Sequence, residues 1–141
     1  MLLALVALVG VLVATYLTLY KLGYIGTLVC GTGACELVQT SRWATFLGLP
    51  VATWGVGYYV AVLALAIAGT QEQFAGDRRM ATALLALTGW GVLFTAWLTY
   101  LELFRIHAIC RWCVGSACIV VVMFIIALLD YRAQAAPQPG E

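Results

Sequence analysis

Residues 2 to 20 read LLALVALVGVLVATYLTLY, nineteen consecutive positions without a charged side chain. As a helix this stretch rises about 28 Å, close to the ~30 Å hydrocarbon thickness of a bilayer. Three further stretches repeat the pattern: residues 43 to 71, 80 to 101 and 112 to 129 are charge-free for 29, 22 and 18 positions. The seven Lys and Arg and six Asp and Glu are confined to the gaps between them and to the chain's end. Only 9% of the 141 residues are charged and 65% are hydrophobic, against about 25% charged in an ordinary soluble domain. A water-soluble globular domain is therefore excluded. A net charge of +1 also provides no field to gather nucleic acid or an acidic substrate.

The expected architecture is an all-α membrane protein: one domain over residues 1–141, a four-transmembrane-helix bundle with spans at about 2–20, 50–70, 80–102 and 113–130. The second charge-free stretch is too long for one span, and Gly48 and Pro50 interrupt it. Ser41 to Leu49 (SRWATFLGL) is thus expected to form a short interfacial helix within an outer loop over 21–49, and Pro50 suits the first turn of the second span. A signal-peptide core is the alternative for residues 2 to 20, but it lacks a basic leader and a small-residue cleavage site, and it exceeds the usual length of about 7–15 residues. The tail AQAAPQPGE is expected to fray.

Four spans place both termini and the connector EQFAGDRR (72 to 79) on one side. The segments 21 to 42 and 102 to 111 then share the other side, whichever way the bundle points. The counts do not orient it: Arg78, Arg79 and Arg132 stand against Lys21, Arg42, Arg105 and Arg111, which is no positive-inside signal.

That parity unites two cysteine pairs. Cys110-Arg111-Trp112-Cys113 is a C-x-x-C at the threshold of the fourth span, where i and i+3 share a helix face and the sulfurs can meet. The amide-rich, positive helix end is expected to favour a thiolate at Cys113, with Arg111 and His107 adding charge. Such a thiolate is suited to a lipid-soluble oxidant. Cys30 and Cys35 lie in the Gly-rich segment GYIGTLVCGTGACELVQTS, expected to be mobile rather than helical. A mobile dithiol facing a fixed one is a relay geometry for thiol–disulfide exchange. Two structural disulfides, or a four-cysteine zinc site, are the competing readings. Cys118, five residues beyond Cys113, is read as a small core hydrophobe, about 140° around the helix and some 7.5 Å deeper.

The combination of the Cys30…Cys35 loop pair, Ser41 with RWATFLGLPVATWG, and CRWCVGSA from Cys110 resembles the vitamin K epoxide reductase family, particularly bacterial members, here without a fused thioredoxin-like domain. The resemblance covers nearly the whole chain. It implies a four-helix bundle around a quinone, in the bacterial cytoplasmic membrane, with the cysteines facing the periplasm. Cys113 would be the quinone-reactive thiol and Cys110 its disulfide partner. Cys35 would exchange with Cys110, and Cys30 would meet a thioredoxin-like (DsbA-like) periplasmic partner. Ser41 would help position the relay, or else cap the interfacial helix. The net reaction implied is quinone-dependent disulfide formation, with menaquinone, ubiquinone or a vitamin K-type naphthoquinone as acceptor and no metal. Where vertebrate members carry an Asn and a Tyr near the quinone, this chain has Val51 and Ala117, which favours quinone over epoxide reduction. Phe46 and Trp54 are expected as pocket walls, whereas most of Trp43, Trp90, Trp97 and Trp112 suit an interfacial belt. His107 is either a proton donor or simply solvated, and Glu36 either tunes Cys35 or faces water. A non-catalytic four-span subunit is the reading from a different class.

Overall fold

A computed structural model of the protein describes residues 1–27, 29–30 and 34–136. Gly31 to Gly33, the centre of the expected mobile loop, and the last five residues of the tail lie outside them.

Among the described residues, four helices are long and apolar enough to cross a membrane: α1 (Leu2–Lys21), α3 (Val51–Ala68), α4 (Arg78–Leu101), which a π-helical turn extends to Ile106, and α5 (Arg111–Ala135). Inside a bilayer every backbone polar group must be satisfied within its own segment, which is why charge-free runs of this length become helices. Asp77 starts α4 as its N-cap, its carboxylate accepting from the Arg79 amide at 2.9 Å. α1 packs chiefly on α3, and α5 on α4 and α1.

Lipid tails are as apolar as leucine, so the helices associate through close packing and a few interhelical hydrogen bonds. Ala7, Gly10 and Ala14 give α1 a small-residue stripe, and the Tyr59 ring of α3 lies directly over Gly10, where a Cβ would overlap it. The Tyr59 hydroxyl crosses the bundle to Ser116 of α5, 2.6 Å from its Oγ and donating to its carbonyl at 3.1 Å. At the end carrying the chain termini, Arg78 donates to the Tyr131 hydroxyl at 3.1 Å.

The outer loop departs from expectation. Its helix is α2 (Ala34–Thr40), which carries Cys35. Ser41 to Leu49 is not a helix: a 3-10 turn over Arg42–Ala44 leads into a two-stranded hairpin, β1 (Thr45–Phe46) and β2 (Leu49–Pro50). Leu47 (φ 52°) and Gly48 (φ 81°) both take the left-handed conformation that a tight two-residue hairpin turn requires. Pro50 has no N–H to continue a helix and stands just outside α3 as its N-cap. Trp54 Nε1 donates to the Phe46 carbonyl at 3.1 Å and holds the hairpin on α3. Cys118 is also corrected: it is exposed on the outer face of α5, because the rotation that separates it from the inward-facing Cys113 carries it to the back of the helix.

Gly10→Val should drive a branched side chain into Tyr59 and lower the stability of the bundle by about 1–3 kcal/mol, as overpacking does. Thermal unfolding in detergent reads this directly, and the same substitution at the unhindered Gly57 is the control.

Candidate redox site

At the end of the bundle opposite the chain termini, Leu17, Cys30, Cys35, Val38 and Cys110 form one buried cluster, with Tyr16, Trp112 and Cys113 packed against it. The two cysteine pairs that helix parity assigns to one side are therefore in direct association. Cys30 and Cys35 are joined as a disulfide, with Cα atoms 6.1 Å apart, while Cys110 and Cys113 are free thiols. Cys35 and Cys110 are fully buried and Cys30 is only 5% exposed.

Cys110 is the N-cap of α5. Its Sγ accepts the Cys113 amide N–H at 3.4 Å, the task that a Ser or Asp oxygen performs at ordinary helix starts. The sequence placed the effect of the helix-end donors on Cys113; in the structure they act on Cys110 instead. The Cys110 thiol is held below its usual range, first by the hydrogen bond from the Cys113 thiol and then by the Cys113 and Trp112 amides; burial and the nearby Glu102 oppose this.

Around Cys113 the neighbours are polar. Gln39 of α2 points its Nε2 at Cys113 Sγ, 3.5 Å away, and the backbone carbonyl of Gln39 accepts from Lys21 Nζ at 2.6 Å, which ties α2 to the end of α1. Glu102, buried in the π-turn after α4, accepts the Cys110 amide on Oε2 at 3.2 Å and also interacts with the Cys113 thiol. Ser41 borders the site, but its hydroxyl donates to the Val38 carbonyl at 2.8 Å and caps no helix.

Glu102 and Gln39 were not singled out from sequence. Glu102 had a signal: a carboxylate at the cysteine-side end of a long apolar helix, eight residues before Cys110, is expensive unless it functions. Gln39 had none, because its position depends on the α2 helix.

Inward of the thiols, between α3, α4 and α5 and beneath the hairpin, lies a cavity of about 700 Å³. Cys113, Glu102 and Ser116 stand at its edge, and Phe46, Val51, Trp54 and Ala117 all line it. Trp43 and Trp90 also border it, whereas Trp97 stacks on Tyr100 at 5.8 Å on an exposed face of α4. Tyr58 lines the cavity too. Its buried hydroxyl has no partner among the described residues and lies against Gly91, where any side chain would displace it. Because Tyr59 meets Ser116, this region of α3 lies one turn below Cys113, some 4.5 Å deeper. These walls and the Tyr58 hydroxyl suit a planar carbonyl compound.

The profile of the vitamin K epoxide reductase family matches residues 1–128. The chain belongs to this family. Its members are membrane oxidoreductases that link disulfides to quinones, and this chain carries a buried cysteine cluster with a cavity beside it.

On the aqueous side, Val29 fastens the loop next to Cys30. Its N–H donates to the Tyr16 hydroxyl at 3.1 Å, its carbonyl accepts from Trp112 Nε1 at 3.1 Å, and the Tyr16 and Trp112 rings lie 5.0 Å apart. Trp112→Phe removes one of these bonds and should speed reduction of the Cys30–Cys35 disulfide by a water-soluble phosphine; an unchanged rate would mean that the clamp does not guard it. In a Cys118→Ala background, alkylation of Cys110 by a small reagent should reach half its plateau below the ~8.5 of a free thiol. Cys113→Ala should move that midpoint upward, because the Cys110 thiolate then loses the hydrogen bond donated by the Cys113 thiol.

Proposed function

We propose that this protein oxidises a thioredoxin-like, DsbA-like partner on the outer face of a bacterial cytoplasmic membrane and passes the electrons to a membrane quinone. The observation that carries this reading is the placement of Cys113 between Cys110 and an aromatic, largely apolar cavity. A loop disulfide packs on the opposite side of Cys110.

The partner's dithiol attacks the Cys30–Cys35 disulfide at Cys30, releases its own two electrons and leaves as a disulfide. Cys35, now a thiol, attacks Cys110 in an oxidised Cys110–Cys113 pair; the Cys35–Cys110 bond forms and Cys113 leaves. Cys30 then displaces Cys110, which restores the loop disulfide and leaves Cys110 and Cys113 reduced. This is the state of the structure, with the loop pair closed and the membrane-edge pair free. A quinone held in the cavity supplies a sink for two electrons and two protons. The bundle contributes position: Cys113 is fixed at the cavity edge by α5, and the Tyr58 hydroxyl is free to donate to a carbonyl oxygen. Ser41 contributes through Val38, whose side chain packs in the cysteine cluster. Val51 and Ala117 leave no polar side chain at the cavity positions of the vertebrate Asn and Tyr, consistent with a quinone, menaquinone or ubiquinone in class, as substrate.

Purified protein given a reduced thioredoxin-like donor and a short-tailed quinone should produce quinol and oxidised donor in equal amounts. Cys113→Ala should lower turnover by about 100-fold or more, as loss of a reacting nucleophile does. Cys30→Ser should stop donor oxidation yet leave quinone reduction by dithiothreitol intact. Normal turnover in Cys113→Ala would overturn the scheme.

A further inference from the structure

Quinol formation needs two protons where the cysteine cluster is dry. One residue connects the dithiol both to the cavity and to the surface. Glu102 is 6% exposed, its Oε2 accepts the Cys110 amide, and its carboxyl interacts with the Cys113 thiol. It borders the main cavity and also a second hollow of about 540 Å³ on the cysteine side, whose other walls include Ala34, His107 and Ile109. Both His107 and Ile109 are exposed, so this hollow meets the aqueous face.

The backbone holds the carboxyl there. A π-helical turn over Glu102–Ile106 ends α4, and His107 (φ 56°) turns the chain back so that its N–H and that of Ala108 (3.1 Å) both reach the Glu102 carbonyl. Such turns inside long helices recur at functional sites. Glu102 is thereby fastened at its carbonyl and at its carboxylate, on either side of a loop that closes on Cys110.

We propose that Glu102 is the proton carrier of the Cys110–Cys113 pair. The proposal rests on the quinone-reductase reading above and adds the route of the protons. When the Cys110–Cys113 bond forms, the electron pair passes to the acceptor in the cavity, and the Cys113 S–H bond breaks with its proton moving to the Glu102 carboxylate. Glu102 releases that proton to an acceptor oxygen. The second proton, lost when Cys110 ionises, returns from water through the hollow by way of the same carboxylate. Two electrons and two protons leave the dithiol and two of each reach the acceptor.

Among the described residues, the titratable groups around Glu102 are Cys110 at the N-cap of α5, Cys113 in its first turn, and His107 across the hollow. Glu102→Gln keeps an oxygen for the Cys110 amide and removes only the exchangeable proton and the charge. Two readouts then move in opposite senses. In quinone-free protein carrying Cys118→Ala, the pH midpoint of Cys110 alkylation should fall, because a neighbouring anion that opposes the Cys110 thiolate is gone. Quinone reduction driven by dithiothreitol should nevertheless slow by about 100-fold, the scale of a lost proton transfer. The loss should fall on kcat rather than KM, and Glu102→Asp should recover part of it. A merely structural role would lower kcat without the downward shift of the midpoint, and Glu102→Asp would recover none of it. An unmoved alkylation midpoint, or unchanged kcat, in Glu102→Gln overturns the role of Glu102 alone. Wild-type protein that reduces no quinone overturns the quinone reading and with it the delivery of protons to the cavity.

Discussion

The sulfur of Cys110 closes the start of α5, and the rest of the site is arranged around that bond. A helix leaves its first amides without partners, and at the edge of a membrane they cannot all turn to water. Side-chain oxygen usually accepts them. Sulfur is a weak acceptor when neutral and a strong one when ionised, so a cysteine in this position couples the integrity of the helix end to its own redox chemistry. The same donors that need an acceptor favour the thiolate. The Cys110 amide, which points the other way, is taken by Glu102, so the residue is held on both sides while its sulfur remains free to exchange.

The scaffold keeps this arrangement rigid with few polar contacts. Tyr59 links α3 to Ser116 one turn beyond Cys113, and Gly10 and Gly91 make room for two adjacent tyrosines that face different neighbours. Tyr59 is satisfied and fixes the bundle; the Tyr58 hydroxyl has no partner among the described residues and stands at the cavity. One dipeptide thus supplies both a structural hydrogen bond and an open donor. Lys21 reaches back to the last turn of α2, which sets Gln39 against Cys113.

Much of this was legible without coordinates, and the failures have physical causes. Charge-free runs show themselves because a bilayer penalises every ionised residue, and alternation of sides then follows from counting spans. The faces of those spans were not legible. α5 is apolar all round, so no periodicity distinguishes the side of Cys113 from that of Cys118, and a residue at the back of the helix was mistaken for core. In the outer loop the helix was placed too late. Glycines at 31 and 33 suggested a fully mobile segment, yet ACELVQT from Ala34 contains good helix formers and buries Cys35 and Val38. The stretch after it contains Phe46-Leu-Gly-Leu-Pro50, and Gly48 beside Pro50 favours a tight turn over a helix. Glu102 was visible as an acid but looked like the flank of a span, because a π-turn that swings its carboxyl inward has no sequence signature.

Burial finally separates the two ends of the relay. Cys35 and Cys110 meet in a buried cluster, where low dielectric strengthens every hydrogen bond to their sulfurs. In the proposed relay Cys30 meets another protein, yet it too is almost covered, beside a segment fastened at Val29 by Tyr16 and Trp112. Those two aromatics belong to α1 and α5, and Trp112 sits between the cysteines of the C-x-x-C itself. Any movement of the loop that exposes Cys30 therefore pulls on the turn that positions Cys110 and Cys113. Access to the outer disulfide and the geometry of the inner dithiol are therefore joined through one indole, which holds Val29 with its N–H and stands between Cys110 and Cys113 in the chain.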